Sequence, residues 1–421
     1  PMARRCVVLC GSGNNGGDGY VVARLARQAG WQVSVLAVTA PERLQGDAHK
    51  AWVSARESGV EVRPFSIGPL EADVIVDAVL GTGLQGDVRG DARAAIEAIN
   101  AAQLPVLAID IPSGLCADTG NTLGVAVNAT VTVTFIGLKI GLVQSMARCC
   151  TGELFFAGLN VPENIHNQVP PLAHHVVPAN VQAGLTLRPR DAHKGHFGHV
   201  LVIGGDLGMG GATLMAAEAA ARVGAGLTSV ATRREHIPAL LARRPEVMVH
   251  PVDDPQNDLG SLGALIDAAS VIVIGPGLGR NAWGSELFDL VLVKHAHKLS
   301  EKALVIDADG LFWLGQYVAE KRVSTNAARW VLTPHPGEAA RLLQVATTQV
   351  QGDRIKAAKD LQAKFQGVVV LKGAGSLVCD QQQRLYLATV GNPGMATGGM
   401  GDVLSGIIGG LLAQGHSLPA A

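Results

Sequence analysis

The chain has 421 residues, 16% charged and 48% hydrophobic, with a formal net charge of -1, which excludes a disordered chain and a broad basic footprint for nucleic acid. Glycine is the outlier, at 52 residues or about 12%, against a usual value of ~7%. Without a Gly-x-y period that excess must sit in tight turns, or where backbone closely approaches something else.

Short β-branched runs alternate with Ala-rich helical stretches. Candidate strands in the first part are Val7–Cys10, Val33–Val38, Ala72–Leu80, Val106–Ile111 and Thr130–Phe135. A second series comprises Val200–Gly204, Thr228–Thr232, Val271–Gly275, Leu304–Asp307, Val331–Thr333 and Val368–Leu371. These runs are near-continuously apolar rather than alternating, the pattern of parallel strands buried on both faces, so an α/β fold with parallel sheets is expected. The segment between the series is rich in Pro, Asn, His and Gln and lacks a period. The expected division is therefore a first domain over 1–165, a linker over 166–189 and a second domain over 190–421. Six cysteines show no CxxC pair, and no apolar run is long enough to span a bilayer, so a reduced, cytoplasmic setting is expected, with no membrane and no nucleic-acid partner.

The first glycine cluster runs Gly11-Ser12-Gly13-Asn14-Asn15-Gly16-Gly17-Asp18-Gly19, between the first strand and a helix expected over Val21–Ala29. Such a loop can present several NH groups to an anion. It is not the ordinary dinucleotide fingerprint, because the second strand ends without the expected carboxylate. Two later strand ends carry Asp77, followed by the turn Gly81-Thr82-Gly83-Leu84-Gln85-Gly86-Asp87, and Asp110, followed by Ser113. Ligands of open α/β sheets bind outside the carboxyl ends of strands, so Asn15, Asp77, Asp110 and Ser113 should converge on one crevice.

GSGNNGGDG, VDAVLGTG and IDIPSGL together resemble the NAD(P)H-hydrate epimerase family over residues 6–165. That resemblance implies a Rossmann-like domain that interconverts the epimers of NADHX and NADPHX at C6. It implies potassium ligands at Asn15, Asp77 and Ser113. Substrate contacts are implied at Asn14, Asn15, Gly16, Gly17 and Asp18, at Gly81, Thr82, Gly83, Leu84, Gln85, Gly86 and Asp87, and at Asp110. Oxygen ligands suit a hard cation. Asp110 is the expected general acid/base, since C6–OH belongs to a hemiaminal.

The second domain opens with His193, His196 and His199, expected as loop histidines because finger spacing is absent. Gly204–Gly211 then leads into a helix expected over Thr213–Gly224, with close packing of small residues. GPGLG at 275–279, TPHPGE at 333–338 and KGAGS at 372–376 each follow a strand. The last cluster, Gly391 to Asp402, enters an apolar helix. A Gly-rich turn opening a helix makes an anion hole, and an Asp on its first turn can take a hydroxyl proton beside a phosphate.

GMATGGMGDVLSG resembles the GxGD signature of ribokinase-like folds. With HKGxFG, GPGLG, TPHPGE and KGAGS it resembles the ADP-dependent NAD(P)H-hydrate dehydratases over 180–421. By that resemblance Ala212, Gly277, His335 and Asp402 contact the hydrated cofactor, with Asp402 as base. Lys372, Gly373, Ala374, Gly375, Ser376 and Gly401 hold the adenine nucleotide, and Mg2+ accompanies ADP. The implied chemistry is phosphoryl transfer from ADP to the C6 hydroxyl, then loss of phosphate to give NAD(P)H and AMP. The whole chain thus resembles the bifunctional NAD(P)H-hydrate repair enzymes and is expected to lack their first helical segment and their final segment. A homo-oligomer is also expected. Alternatives are a ribokinase-like small-molecule kinase, which leaves the first domain idle, and a silent nucleotide-binding module.

Overall fold

The computed structural model describes residues 5–185, 187–294, 296–299, 301–325 and 329–421. The chain divides into two compact units, Pro1–Pro171 and Leu172–Ala421.

The first unit is built on seven parallel strands: β1 (Arg5–Cys10), β2 (Gln32–Ala37), β3 (Glu61–Pro64), β4 (Val74–Ala78), β5 (Val106–Ile109), β6 (Val131–Phe135) and β7 (Glu153–Ala157). Their order is β3-β2-β1-β4-β5-β6-β7, so the winding reverses between β1 and β4. Val8, Leu9 and Cys10 are fully buried because helices cover both faces of the sheet, which is why β1 is apolar without a break from Cys6 to Cys10 rather than at alternate positions. Register places Asp77 of β4 between Leu9 of β1 and Ala108 of β5. A carboxylate therefore ends the central strands, at the switch point where such sheets bind ligands.

The second unit carries ten strands: β8 (His174–Val176), β9 (His199–Ile203), β10 (Leu227–Thr232), β11 (Met248–Pro251), β12 (Val271–Ile274), β13 (Ala303–Ile306), β14 (Trp330–Leu332), β15 (Val368–Leu371), β16 (Ser376–Cys379) and β17 (Leu385–Ala388). The order is β11-β10-β9-β12-β13-β14-β15-β16-β17-β8. Strands from β11 to β15 are parallel, β15–β16–β17 is an antiparallel hairpin extension, and β8 runs parallel to β17. Here the reversal lies between β9 and β12. The helices Gly210–Val223 and Met400–Ala413 pack on this sheet and against each other. At Gly406 a Cβ would stand 2.1 Å from the carbonyl oxygen of Ala216, so only glycine permits that approach.

Three expectations differ from the fold. The helix after β1 starts at Asn14, not Val21, so most of the first glycine cluster is helical rather than looped. Gly16 makes this possible: a Cβ there would lie 2.1 Å from the Gly11 carbonyl oxygen. The helix expected over Thr213–Gly224 likewise begins earlier, at Gly210. Part of the stretch expected as a linker is ordered, as β8 and the helix Pro178–Gly184. Three residues, two of them histidines, are too few to show a strand period, yet they close the edge left by β17.

Candidate active sites

In the first unit, Asp77 is fully buried at the end of β4. Its Oδ2 accepts from the Ser113 amide at 2.7 Å, and its Oδ1 from the Ser113 hydroxyl at 2.6 Å and the Val79 amide at 3.2 Å. Leu80 ties the group together: its amide donates to Ser113 Oγ at 2.7 Å, and its carbonyl accepts from Asn15 Nδ2 at 2.9 Å. Burial pushes the Asp77 carboxyl up to about 6, against the pull of the bonds from Ser113 and Val79. Asn15 Oδ1 is buried and has no hydrogen-bond partner among the described residues. A buried carboxylate, a hydroxyl and an orphaned amide oxygen form a donor set that a hard monovalent cation fits.

Asp110 follows β5 with φ +64, a left-handed backbone that a non-glycine residue adopts only where its surroundings impose it. Its amide donates to Val133 of β6 at 2.8 Å. Its Oδ1 accepts from Phe135 N at 3.0 Å and Thr134 Oγ1 at 3.2 Å, and pairs with Lys139 Nζ. Asp18, one turn into the helix after β1, has its carboxyl raised first by desolvation and then by the charge of Asp110, so the two acids face a common space. Gly81 packs on the Asn15 side chain, its virtual Cβ 3.1 Å from Asn15 Cβ, which brings the turn after β4 to the same place. Gly124 stands over Asp87 at the far end of that turn.

In the second unit, Asp402 lies in the first turn of the helix Met400–Ala413, opened by Gly399 at φ +89. Burial first, and the Asp307 carboxylate second, push its carboxyl up to about 6, while Lys372 opposes them. Lys372 Nζ pairs with Asp307 Oδ1 at 3.1 Å and stands 3.9 Å from Glu338 Oε2. Gly401 packs over Lys372 Nζ, 3.1 Å from a virtual Cβ, so the GxGD turn and the KGAGS turn meet there. Asp307 is 1% exposed at the end of β13. Glu338 is raised by burial despite Lys372 and His335 nearby.

His335 caps the helix Pro336–Leu343. Its Nδ1 accepts from the amides of Gly337 at 3.0 Å and Glu338 at 3.3 Å, while its own amide donates to Glu338 Oε2 at 2.8 Å. With Nδ1 an acceptor, Nε2 is left as the ring's donor and lies 3.4 Å from Glu338 Oε1, while 56% of the side chain is exposed. Ala212 and Gly277 are neighbours across the switch point, with a virtual Gly277 Cβ 3.2 Å from Ala212 Cβ. The turn Lys372–Gly375 rests on Arg354, whose guanidinium donates to the carbonyls of Leu371 at 3.3 Å, Lys372 at 3.4 Å and Gly375 at 3.1 Å. Arg354 is 2% exposed and pairs with no carboxylate among the described residues; burial lowers it to about 10. Ser376 Oγ donates back to Gly373 O at 3.2 Å.

Of the expected residues, Asn15, Asp77, Gly81 and Ser113 meet in the first unit, Lys372 and Gly401 meet beside Asp402 in the second, and Ala212 touches Gly277; Gly17 instead packs on Ala48 of the helix Gly46–Glu57. Lys139, Asp307 and Arg354 were missed by sequence reasoning. Asp307 had a signal, since IDADG ends a candidate strand with a carboxylate, as VDA and AID do in the first unit. His193, His196 and His199 do not form a site: the first two stack at 3.7 Å, and His199 Nε2 faces Ser229 Oγ at 2.8 Å in the sheet. No described helix is long and apolar enough to cross a membrane.

Comparison with known proteins agrees with this division. The family model described as YjeF-related protein N-terminus matches residues 1–141, and the one described as NAD(P)H-hydrate dehydratase matches 200–421. The bifunctional NAD(P)H-hydrate repair enzyme Nnr of Coxiella burnetii is 48% identical over 422 residues, covering 100% of this chain and 83% of that one. Its counterpart in Escherichia coli is 44% identical, covering 98% and 77%. A crystal structure of a ribokinase-like superfamily protein from Enterococcus faecalis superposes on the second unit with a TM-score of 0.52 at 34% identity, covering 57% of this chain and 80% of that chain. With an epimerase-type and a dehydratase-type domain in one polypeptide, the chain belongs to the family of bifunctional NAD(P)H-hydrate repair enzymes.

Proposed function

We propose that the two sites act in sequence on damaged nicotinamide cofactor, the first on both C6 epimers of NADHX and NADPHX, the second on the S epimer with ADP. The observation that carries this reading is the pair of separate acid centres, Asp110 directly after β5 in the first unit and Asp402 in the first turn of the helix Met400–Ala413 in the second.

In the first site Asp110 takes the proton of the C6 hydroxyl. The C6–N1 bond breaks, its electron pair moves onto N1 and into conjugation with the remaining C2=C3 double bond, and N1 takes, through water, the proton that Asp110 received. The resulting aldehyde turns about C5–C6, and the reverse steps close the ring on the other face. Asn15, Asp77 and Ser113 would hold K+, which supplies positive charge beside the loops that bind the cofactor's diphosphate. The turn 81–87 and residues 14–18 complete that pocket.

In the second site Asp402 accepts the C6 hydroxyl proton as that oxygen attacks the β-phosphorus of ADP, and the bond to AMP breaks. The ring nitrogen's electron pair then expels phosphate from C6, and loss of a C5 proton restores the double bond. Residues 372–376 and Gly401 cradle the nucleotide with backbone NH groups, so few lysines are needed. ADP arrives with Mg2+, which supplies charge neutralisation at the phosphates. His335, Ala212 and Gly277 lie against the hydrated ring.

The test uses the full chain with (R)-NADHX, ADP, Mg2+ and K+. NADH and AMP should form together in equal amounts. Asp402→Asn should abolish both products while the epimers still equilibrate faster than without enzyme. Asp110→Asn should still dehydrate (S)-NADHX but process the R epimer only at the uncatalysed rate. Loss of both activities in either variant, or NADH formation without AMP, would refute two independent sites.

A further inference from the structure

Lys139 lies outside every motif that carries the expected site. It belongs to the loop after β6, four residues beyond Phe135, in the run Phe135-Ile136-Gly137-Leu138-Lys139. Its ammonium group pairs with Asp110 Oδ1, donates to Thr134 Oγ1 at 3.0 Å and donates to the Phe135 carbonyl at 2.8 Å. All three of its N–H bonds are thereby used at one strand end. The Thr134 hydroxyl donates in turn to Asp110 Oδ1 at 3.2 Å, and the Phe135 amide adds a third donor to the same oxygen at 3.0 Å.

The result is asymmetric. Asp110 Oδ1 receives three donors, one of them a cation, whereas Oδ2 receives no hydrogen bond from the described residues. Both side chains are 20% exposed, so the pair is largely withdrawn from water but remains reachable from the crevice. The backbone of Asp110 is held in the left-handed region on one side by Val133. A side chain on a strained residue would otherwise have several orientations; Lys139 and the end of β6 leave it one. Partly buried ion pairs contribute little net stability, so a lysine spending every donor here has its main effect on geometry and charge.

We propose that Lys139 is a positioning residue for the epimerase reaction: it anchors Oδ1 of Asp110 so that Oδ2 alone meets the C6 hydroxyl. This rests on reading the first unit as the epimerase. Its proton does not leave; the ammonium stays paired through ring opening and closure, and it offsets the negative charge that builds on the opening hemiaminal.

The test compares wild type, Lys139→Met, Lys139→Arg and Lys139→Ala as full chains. Equilibration of (R)- into (S)-NADHX is followed by chromatography in K+, and ADP-dependent NADH formation from (S)-NADHX serves as the fold control. Lys139→Met should lower kcat for epimerisation by about a hundredfold with KM within about threefold, the cost of a misplaced reacting group. Lys139→Arg should keep more of kcat than Lys139→Met, and ethylammonium ions should raise the rate of Lys139→Ala several-fold. Dehydration of the S epimer should be unchanged in all of them. The inference is overturned if Lys139→Met keeps kcat within twofold. It is equally overturned if KM alone rises, or if neither arginine nor ethylammonium restores any rate, which is what a merely structural tie would give. A wild-type protein that epimerises no faster than the uncatalysed reaction overturns the epimerase reading itself, and is recognised before any variant is measured.

Discussion

Asp402 lends itself to a quantitative test through pH. Burial and the nearby Asp307 push its carboxyl up to about 6, from an ordinary value near 3.8. In its proposed role as base for the C6 hydroxyl it must be ionised. With a value of about 6 the ionised fraction falls from about 0.9 at pH 7 to about 0.1 at pH 5, a tenfold loss of rate. An unperturbed carboxylate would lose only about 6% over the same interval. Asp307→Asn removes the anion that raises Asp402 and releases Lys372, which opposes it, from its 3.1 Å partner. Both changes favour the ionised form, so the acid limb should move down by about one pH unit. The assay is the initial rate of NADH formation from (S)-NADHX at saturating ADP and Mg2+, between pH 5 and 8. The nucleotide's terminal phosphate also titrates near pH 6, but it is common to both enzymes, so the displacement between the two profiles belongs to the protein. A profile that is flat from pH 7 to 5 in wild type, or a limb that moves upward in Asp307→Asn, would refute the reasoning.

Replacing K+ by choline at constant ionic strength should slow epimerisation and leave dehydration unaffected. Asn15→Leu, which deletes the orphaned oxygen, should lower the epimerase rate at least tenfold and abolish its response to K+; a variant that still responds would place the cation elsewhere. Gly406→Ala puts a methyl group 2.1 Å from the Ala216 carbonyl oxygen and should destabilise the second unit by about 1–3 kcal/mol, read as a lowered melting temperature; an unchanged Tm would mean that the two helices separate freely. Arg354→Met withdraws the support of the 372–375 turn and should raise KM for ADP about tenfold, or about 1.4 kcal/mol, with KM for (S)-NADHX little changed. Equal KM values for ADP would show that the turn stands without it.

The central strands were legible because burial on both faces leaves continuous apolar runs, as in Val271–Ile274 and Val368–Leu371. The peripheral strands were not. Glu61–Pro64 and Glu153–Ala157 are the two edges of their sheet and expose most of their side chains; the first is largely polar, and the second carries Leu154, Phe155 and Phe156 in a run too short for its period to separate strand from helix. The hairpin Ser376–Cys379 and Leu385–Ala388 is short and follows directly on a glycine turn. At the sites, carboxylates next to glycine turns were visible because strand end, acid and turn are contiguous in sequence. Lys139 meets Asp110 across 29 residues, and Lys372 meets Asp307 across 65, so neither pairing leaves a local trace. Starting the helix at Asn14 depends on how closely Gly16 can approach Gly11, a matter of backbone distance that composition does not carry.

Strand β8 bears on how the second unit can be cut free. Tyr386, Leu387 and Ala388 of β17 are paired with His174, His175 and Val176, and His175 Nε2 meets Thr389 Oγ1 at 2.8 Å. A fragment that starts at the dehydratase motifs near residue 190 would strip this cover and leave an unprotected strand edge open to cross-chain pairing and aggregation. Proteases should accordingly spare the backbone around 174–176 while they cleave its flanks, and an excised dehydratase should stay monodisperse only if it begins before His174.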